Sequence, residues 1–166
     1  MISVEEALAH VLTHFHPLEP ERVPLLESLE RVLTEDIVSD MDVPPFSNSA
    51  MDGYAVIAAD ITHASDEHPV TLRVIGEVAA GYIAISPVER GSAIRIMTGA
   101  PLPLGADTVV RFEDTSEGRE SGAKGRKCVE IMKAIRRGDN VRMAGEDIRV
   151  DEVVFAKGAV IREGEI

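Results

Sequence analysis

Tryptophan is absent from the 166-residue chain, and two Tyr and four Phe are its only aromatic residues, so a core has to be built from Val, Ile, Leu, Ala and Met. Few rings remain on which nucleic-acid bases can stack. The single cysteine, Cys128, excludes an internal disulfide and a multi-thiolate metal site, which fits a reducing compartment and predicts a cytoplasmic protein. Positive charge is also scarce. Seventeen Lys and Arg against 29 Asp and Glu leave a net charge of −12, which repels phosphate backbones and anionic lipid and argues against general nucleic-acid binding. No apolar run approaches the ~18 residues of a spanning helix, and Met1–Glu6 lacks the basic and apolar regions of a leader, so no membrane partner is expected. The chain contains no G-x-S-x-G, no P-loop and no G-x-G-x-x-G opening a helix, which removes the common hydrolase, nucleotide and dinucleotide readings.

What is present begins with an amphipathic helix. Val4, Ala7, Leu8, Val11, Leu12 and Phe15 recur at helical spacing, and Ser3 with Glu6 forms a capping box, which predicts a helix over 3–15. Leu25, Leu26, Leu29, Val32 and Leu33 predict a second short helix packed beside it. From Glu35 the texture changes to short β-rich runs at 37–38, 54–57, 71–78, 93–96 and 108–112, and residues 129–132 alternate as a half-buried strand does. The polar stretch Ser116–Lys127, with Gly118, Gly122 and Gly125, reads as a solvated hairpin loop. Val153–Phe155 and Val160–Ile161 flank Gly158 and suggest two strands joined by a tight turn. Without βαβ alternation or an internal repeat, the expected class is α+β, a helical lobe with a β-rich lobe of mostly short, twisted strands.

Three loops carry the residues best suited to chemistry. In Pro44–Tyr54, Ser47, Asn48, Ser49 and Asp52 bring hydroxyl, amide and carboxylate oxygens together around the Asp52-Gly53 turn; this suits an oxyanion with a hard cation, or a plain Asx turn. In Met97–Asp107, Thr98 can donate to an anion and Gly99 can admit a ligand close to the backbone, though a Pro-rich connection explains the segment equally well. In Arg142–Asp147, Glu146 and Asp147 are adjacent acids after Gly145, a pattern open to Mg2+ and commoner on solvated turns. Between Lys124 and Arg142 seven basic residues face two acidic ones, a local reversal of sign that suits either a small anion or a solvated face. His10 and His14 stand four apart on the first helix but lack a supporting acid or thiol, and Cys128 has no His at motif spacing, so both read as bystanders.

Phe46-Ser-Asn-Ser-Ala-Met-Asp-Gly-Tyr-Ala55, Arg95-Ile-Met-Thr-Gly-Ala-Pro101, Gly105-Ala-Asp-Thr-Val-Val110 and Gly145-Glu-Asp-Ile148 occur in this order. With them the chain resembles the amino-terminal half of the molybdopterin molybdenumtransferases, the MoeA family, which includes the E domain of gephyrin. The resemblance implies an enzyme that inserts molybdate into adenylated molybdopterin with Mg2+ and releases AMP. By motif position Asp52, Thr98 and Asp147 match family residues implicated in activity, with Glu113 and Glu146 beside them; on physical grounds substrate contacts are expected from Ser47, Asn48, Ser49, Gly99 and Arg142, and a metal at Asp52 and Asp147 with Glu113 and Glu146. The family usually carries Asp where Ser47 stands, so a metal role at that position loses its charge.

The same resemblance implies an outer α+β lobe at 1–45 and 140–166 around an inserted β-rich lobe at 46–139. Family members continue into pterin-binding and carboxy-terminal domains and form an elongated homodimer, so this chain is expected to contribute half of an active site completed by the pterin-binding domain of the partner subunit. Two rival readings keep the fold: a non-catalytic dimerisation or scaffold module, and a free-standing oxyanion or Mg2+ binder.

Overall fold

The computed structural model describes residues 2–16, 18–119 and 127–166. Its strands in chain order are β1 Ile37–Val38, β2 Asn48–Ser49, β3 Gly53–Val56, β4 Val70–Val78, β5 Ser92–Ile96, β6 Thr108–Arg111, β7 Cys128–Ile131, β8 Val141–Arg142 and β9 Val153–Phe155, with helices α1 Val4–Leu12 and α2 Ser116–Arg119. Contacts divide the chain into two units, 1–38 with 153–166 and 39–152. Residues 39–45 and 140–152, drawn from sequence into the outer lobe, fall in the inner unit by this division. No helix among the described residues is long and apolar enough to cross a membrane.

In the outer unit α1 starts as its sequence dictates. The Ser3 hydroxyl accepts from Glu6 N–H at 3.1 Å and the Glu6 carboxylate accepts from Ser3 N–H at 2.9 Å, closing the capping box. The helix ends at Leu12, and the chain leaves through turns at Thr13–Phe15. None of its residues is buried; Val4, Leu8, Val11 and Leu12 all face outward.

The second predicted helix does not form. Only Leu25–Glu27 make a single 3-10 turn, and Glu30 adopts φ +64°, which ends any helix there. Beyond it the chain runs extended: Glu30 N–H and Leu33 N–H donate to Ile161 and Ala159 carbonyls, and Ile161 N–H donates to the Arg31 carbonyl. Long-range pairing has overridden a leucine spacing that fits a helix equally well. The same ladder corrects the expected hairpin around Gly158. The turn is present, with Ala159 N–H on the Ala156 carbonyl, but β9 pairs with β1 and Val160 with Val32, so the two flanking runs do not pair with each other.

The inner unit is a five-stranded sheet in the order β6-β3-β5-β4-β7, antiparallel except for β4 with β5. Its β-branched strands bury both faces. Val56, Ile61, Leu72 and Ile131 pack on one side, and Val78, Ile94, Ile96 and Val109 on the other. Each such side chain contributes roughly 1.5–3 kcal/mol. β7 alternates as expected, with Val129 and Ile131 inside and Cys128 and Glu130 outside. Strand β3, paired on both edges, is buried along its whole length, and Gly53 is required there: a Cβ would lie 1.9 Å from the Val110 carbonyl oxygen of the neighbouring strand. The expected solvated loop after β6 instead opens with α2, whose Ser116 and Glu117 are buried; residues 120–126, with Lys124 and Arg126, lie outside the described residues.

Gly53→Ala is therefore expected to destabilise the sheet by about 3 kcal/mol or more. Gly76→Ala, where an added Cβ meets nothing within 4 Å, should stay within about 1 kcal/mol of the parent. Urea unfolding followed by circular dichroism measures both, and equal midpoints for the two variants would contradict the packing described.

Candidate functional site

The three loops singled out from sequence meet on β2. On one edge Asn48 and Ser49 pair with Arg142 and Val141 of β8. On the other, Ser49 N–H donates to the Ala100 carbonyl at 3.0 Å, Gly99 N–H donates to the Ser49 carbonyl at 2.8 Å, and Leu102 N–H donates to the Ser47 carbonyl at 2.9 Å. Backbone groups buried in a loop need partners, and here each loop supplies them to the next.

That arrangement delivers Asp52 and Thr98 to each other. Asp52 Oδ1 accepts from both the main-chain N–H and the hydroxyl of Thr98, each at 2.8 Å, and Oδ2 has no partner among the described residues. Thr98 is the anion donor its sequence predicts, and the anion it holds is Asp52. The Asp52 carbonyl in turn accepts from Phe112 N–H at 2.9 Å, fixing the residue at the end of β3. The Thr98 main-chain bond, then its hydroxyl, with help from the Arg95 charge, hold the Asp52 carboxyl below its ordinary value. Gly99 takes φ +79° in the turn that presents Thr98.

The other predicted residues are distributed around this pair. Ser49 is buried, its hydroxyl donating to the Met51 carbonyl and accepting from Met51 N–H at 3.3 Å. Asn48, also buried, donates to the Phe46 carbonyl at 3.4 Å, and the Ser47 hydroxyl accepts from Ala144 N–H at 3.2 Å. These three side chains are committed to the loops themselves. Asp147 forms an ion pair with Arg142, across β2 from the Thr98 turn, and Glu146 Oε2 accepts from Met143 N–H at 2.9 Å. Glu113 sits exposed in the 3-10 turn after β6. Among the described residues no three His, Cys, Asp or Glu side chains gather closely enough to hold a metal ion, His10 and His14 included; Cys128 is a free, exposed thiol.

Sequence reasoning missed the network beneath Asp52. The Tyr54 hydroxyl donates to Glu117, and Arg95 reaches Glu117 at 3.4 Å and Glu77 at 3.0 Å while its guanidinium lies 5.9 Å over the Phe112 ring. Burial and the Glu117 charge push the Tyr54 hydroxyl far above its ordinary value, so it remains a donor. Glu117 carries no local signal, because its partner lies 63 residues earlier in the chain. Asp42 was missed too: its Oδ1 accepts from Val150 N–H at 2.9 Å, bracing the turn that carries Asp147.

Motifs in this order on a sheet of this topology can be compared with known proteins. A family model described as the MoeA N-terminal region (domain I and II) matches residues 2–166. The chain belongs to this family. It is 36% identical over 165 residues to the molybdopterin molybdenumtransferase of Staphylococcus epidermidis and 39% identical over 163 residues to that of Bacillus subtilis. Nearly all of the chain is covered in each case, but it spans only 38% and 37% of those relatives. A solved molybdopterin biosynthesis MoeA protein from Pyrococcus horikoshii superimposes with a TM-score of 0.86 at 38% identity, covering 97% of this chain and 41% of that one. The MoeA N-terminal fold is thus shared across the two units, mostly β with one amphipathic helix.

Because folding lowers the Asp52 carboxyl, its bonds to Thr98 favour the folded MoeA N-terminal chain at pH above the ordinary carboxylate value of about 3.9 and lose that contribution as pH falls through the folded value. Thr98→Val removes the hydroxyl and keeps the main-chain donor. A carboxylate NMR titration should find Asp52 raised in this variant yet still below an ordinary aspartate. An unchanged titration would show that the hydroxyl bond is not made in solution.

Proposed function

We propose that the chain is the amino-terminal part of a molybdopterin molybdenumtransferase and that Asp52, held by Thr98, is its contribution to the insertion of molybdate into adenylated molybdopterin with release of AMP. The observation that carries this reading is the doubly bonded Asp52 carboxylate, whose second oxygen has no partner among the described residues. A carboxylate fixed in this way keeps its charge at neutral pH and can accept a proton or hydrogen bond from a reacting water or hydroxyl at Oδ2. Thr98 acts through Asp52 as a positioning residue. Arg142, paired with Asp147, supplies a guanidinium on the far flank of β2 for an anionic substrate group.

The resemblance also brings Mg2+ with it, and among the described residues no three acidic side chains gather to hold that ion without help from a substrate. Asp52 offers one unpartnered oxygen, Asp147 is matched to Arg142, and Glu146 caps its own turn, so no step is routed through the metal here. In the proposed homodimer the pterin-binding domain of the partner subunit completes the site.

Restoring the carboxy-terminal domains and measuring AMP release from adenylated molybdopterin tests the assignment. Asp52→Ala is expected to slow release about 10²-fold, and Thr98→Val, which keeps the main-chain donor, by a smaller factor. Unchanged rates in both would reject the roles given.

A second reading, the dimerisation or scaffold module, draws on the outward-facing stripe of Val4, Leu8, Val11 and Leu12 on α1. Light scattering discriminates it: Leu8→Glu should shift the restored protein toward monomer under this reading, and an unshifted mass removes α1 from the subunit contacts.

A further inference from the structure

We infer that the cleft beside Met51 is a subsite for a small tetrahedral oxyanion, either inorganic phosphate or the phosphate of a nucleotide. A cavity of about 430 Å³ is lined there by Met51, Arg111, Lys133 and Arg136, with Asp114 and Asp139. Asp52, Thr98 and Asp147 are not among its lining residues, so it is separate from the pair described above, although Met51 adjoins Asp52 in the chain.

The charges of this cleft are unequally matched. Arg111 holds Asp114 Oδ2 through Nε at 3.0 Å and Nη2 at 2.9 Å, and Lys133 Nζ stands 4.0 Å from the same oxygen, so one carboxylate faces two cations. Asp139 Oδ2 accepts from the main-chain N–H of Arg136 at 2.8 Å, while the Arg136 guanidinium has no hydrogen-bond or ion-pair partner among the described residues. Three cations against two carboxylates leave the lining at +1 in a chain of −12. An anion repelled by most of the surface is attracted here. A guanidinium and an ammonium lining one cleft are the groups that recognise a tetrahedral oxyanion. The basic run noted in the sequence thereby acquires a specific role for Lys133 and Arg136.

Titration of the chain with sodium phosphate, against sodium chloride of equal ionic strength and followed by amide chemical shifts, tests this subsite without reference to transferase activity. Saturable shifts are expected at Met51 and across 133–140. Arg136→Gln and Lys133→Gln should each weaken binding about tenfold. Arg137→Gln removes a like charge from the next residue, one that pairs with Asp107 at 3.7 Å and does not line the cleft, and should leave affinity within about twofold. Tighter binding of AMP than of phosphate assigns the subsite to a nucleotide phosphate, and equal or weaker binding assigns it to the free ion. Non-saturating shifts spread over the surface, or an Arg137 variant as impaired as the Arg136 variant, would overturn the inference.

Discussion

The two-residue strand Asn48–Ser49 is held on both edges, paired with Arg142 and Val141 on one side and bonded through Ser49 and the preceding Ser47 to the 97–102 turn on the other. Everything placed at the candidate site depends on this short strand. Because side chains alternate along a strand, its register decides that Ser49 points inward, buried, and that the chain reaches Asp52 three residues later in line with Thr98. A slip by one residue would break the bonds on both edges of this strand and separate the aspartate from both of its donors. The buried Ser49 hydroxyl, closing on Met51, removes that freedom.

Around this strand, residues that look like free ligands in the sequence are already matched within the chain. Asp52 has Thr98, Asp147 has Arg142, and Glu146 has its own turn. Such matching sets geometry ahead of any encounter with a ligand, which is how positioned groups become effective. The Arg95–Glu117–Tyr54 network continues it inward. A guanidinium that would be costly to leave unpaired in a part-buried place is balanced by two carboxylates, and it contributes to holding Asp52 ionised.

Much of the sheet was legible because its signals are local. β-branched runs bounded by Gly, Pro and Asp marked β4 to β7, and Ser3 with Glu6 marked the start of α1. What failed was decided at long range. Leucine spacing at 25–33 fits a helix, yet residues 30–33 gain more from pairing with 159–161, more than 120 positions later, and the left-handed Glu30 records the choice. Glu117 looked solvated because its neighbours in sequence are polar, and its partner Tyr54 is invisible from that window. The stripe of α1 was read correctly as apolar, but apolar patterning alone does not say what covers a face, and within this chain nothing buries it. The motifs mark Asp52 and Thr98, and that one holds the other is decided by a contact between residues 46 apart in the chain.

The strand order has a consequence for synthesis. The interior strand β3 is complete at Val56, yet its two neighbours, β5 and β6, end at Ile96 and Arg111. At elongation rates of about 5–20 residues per second, this strand is therefore made several seconds before either partner is complete. During that interval its edges lack their strand partners, so the vulnerable moment for this protein comes midway through translation, when a strand buried along its whole length in the finished molecule is still uncovered.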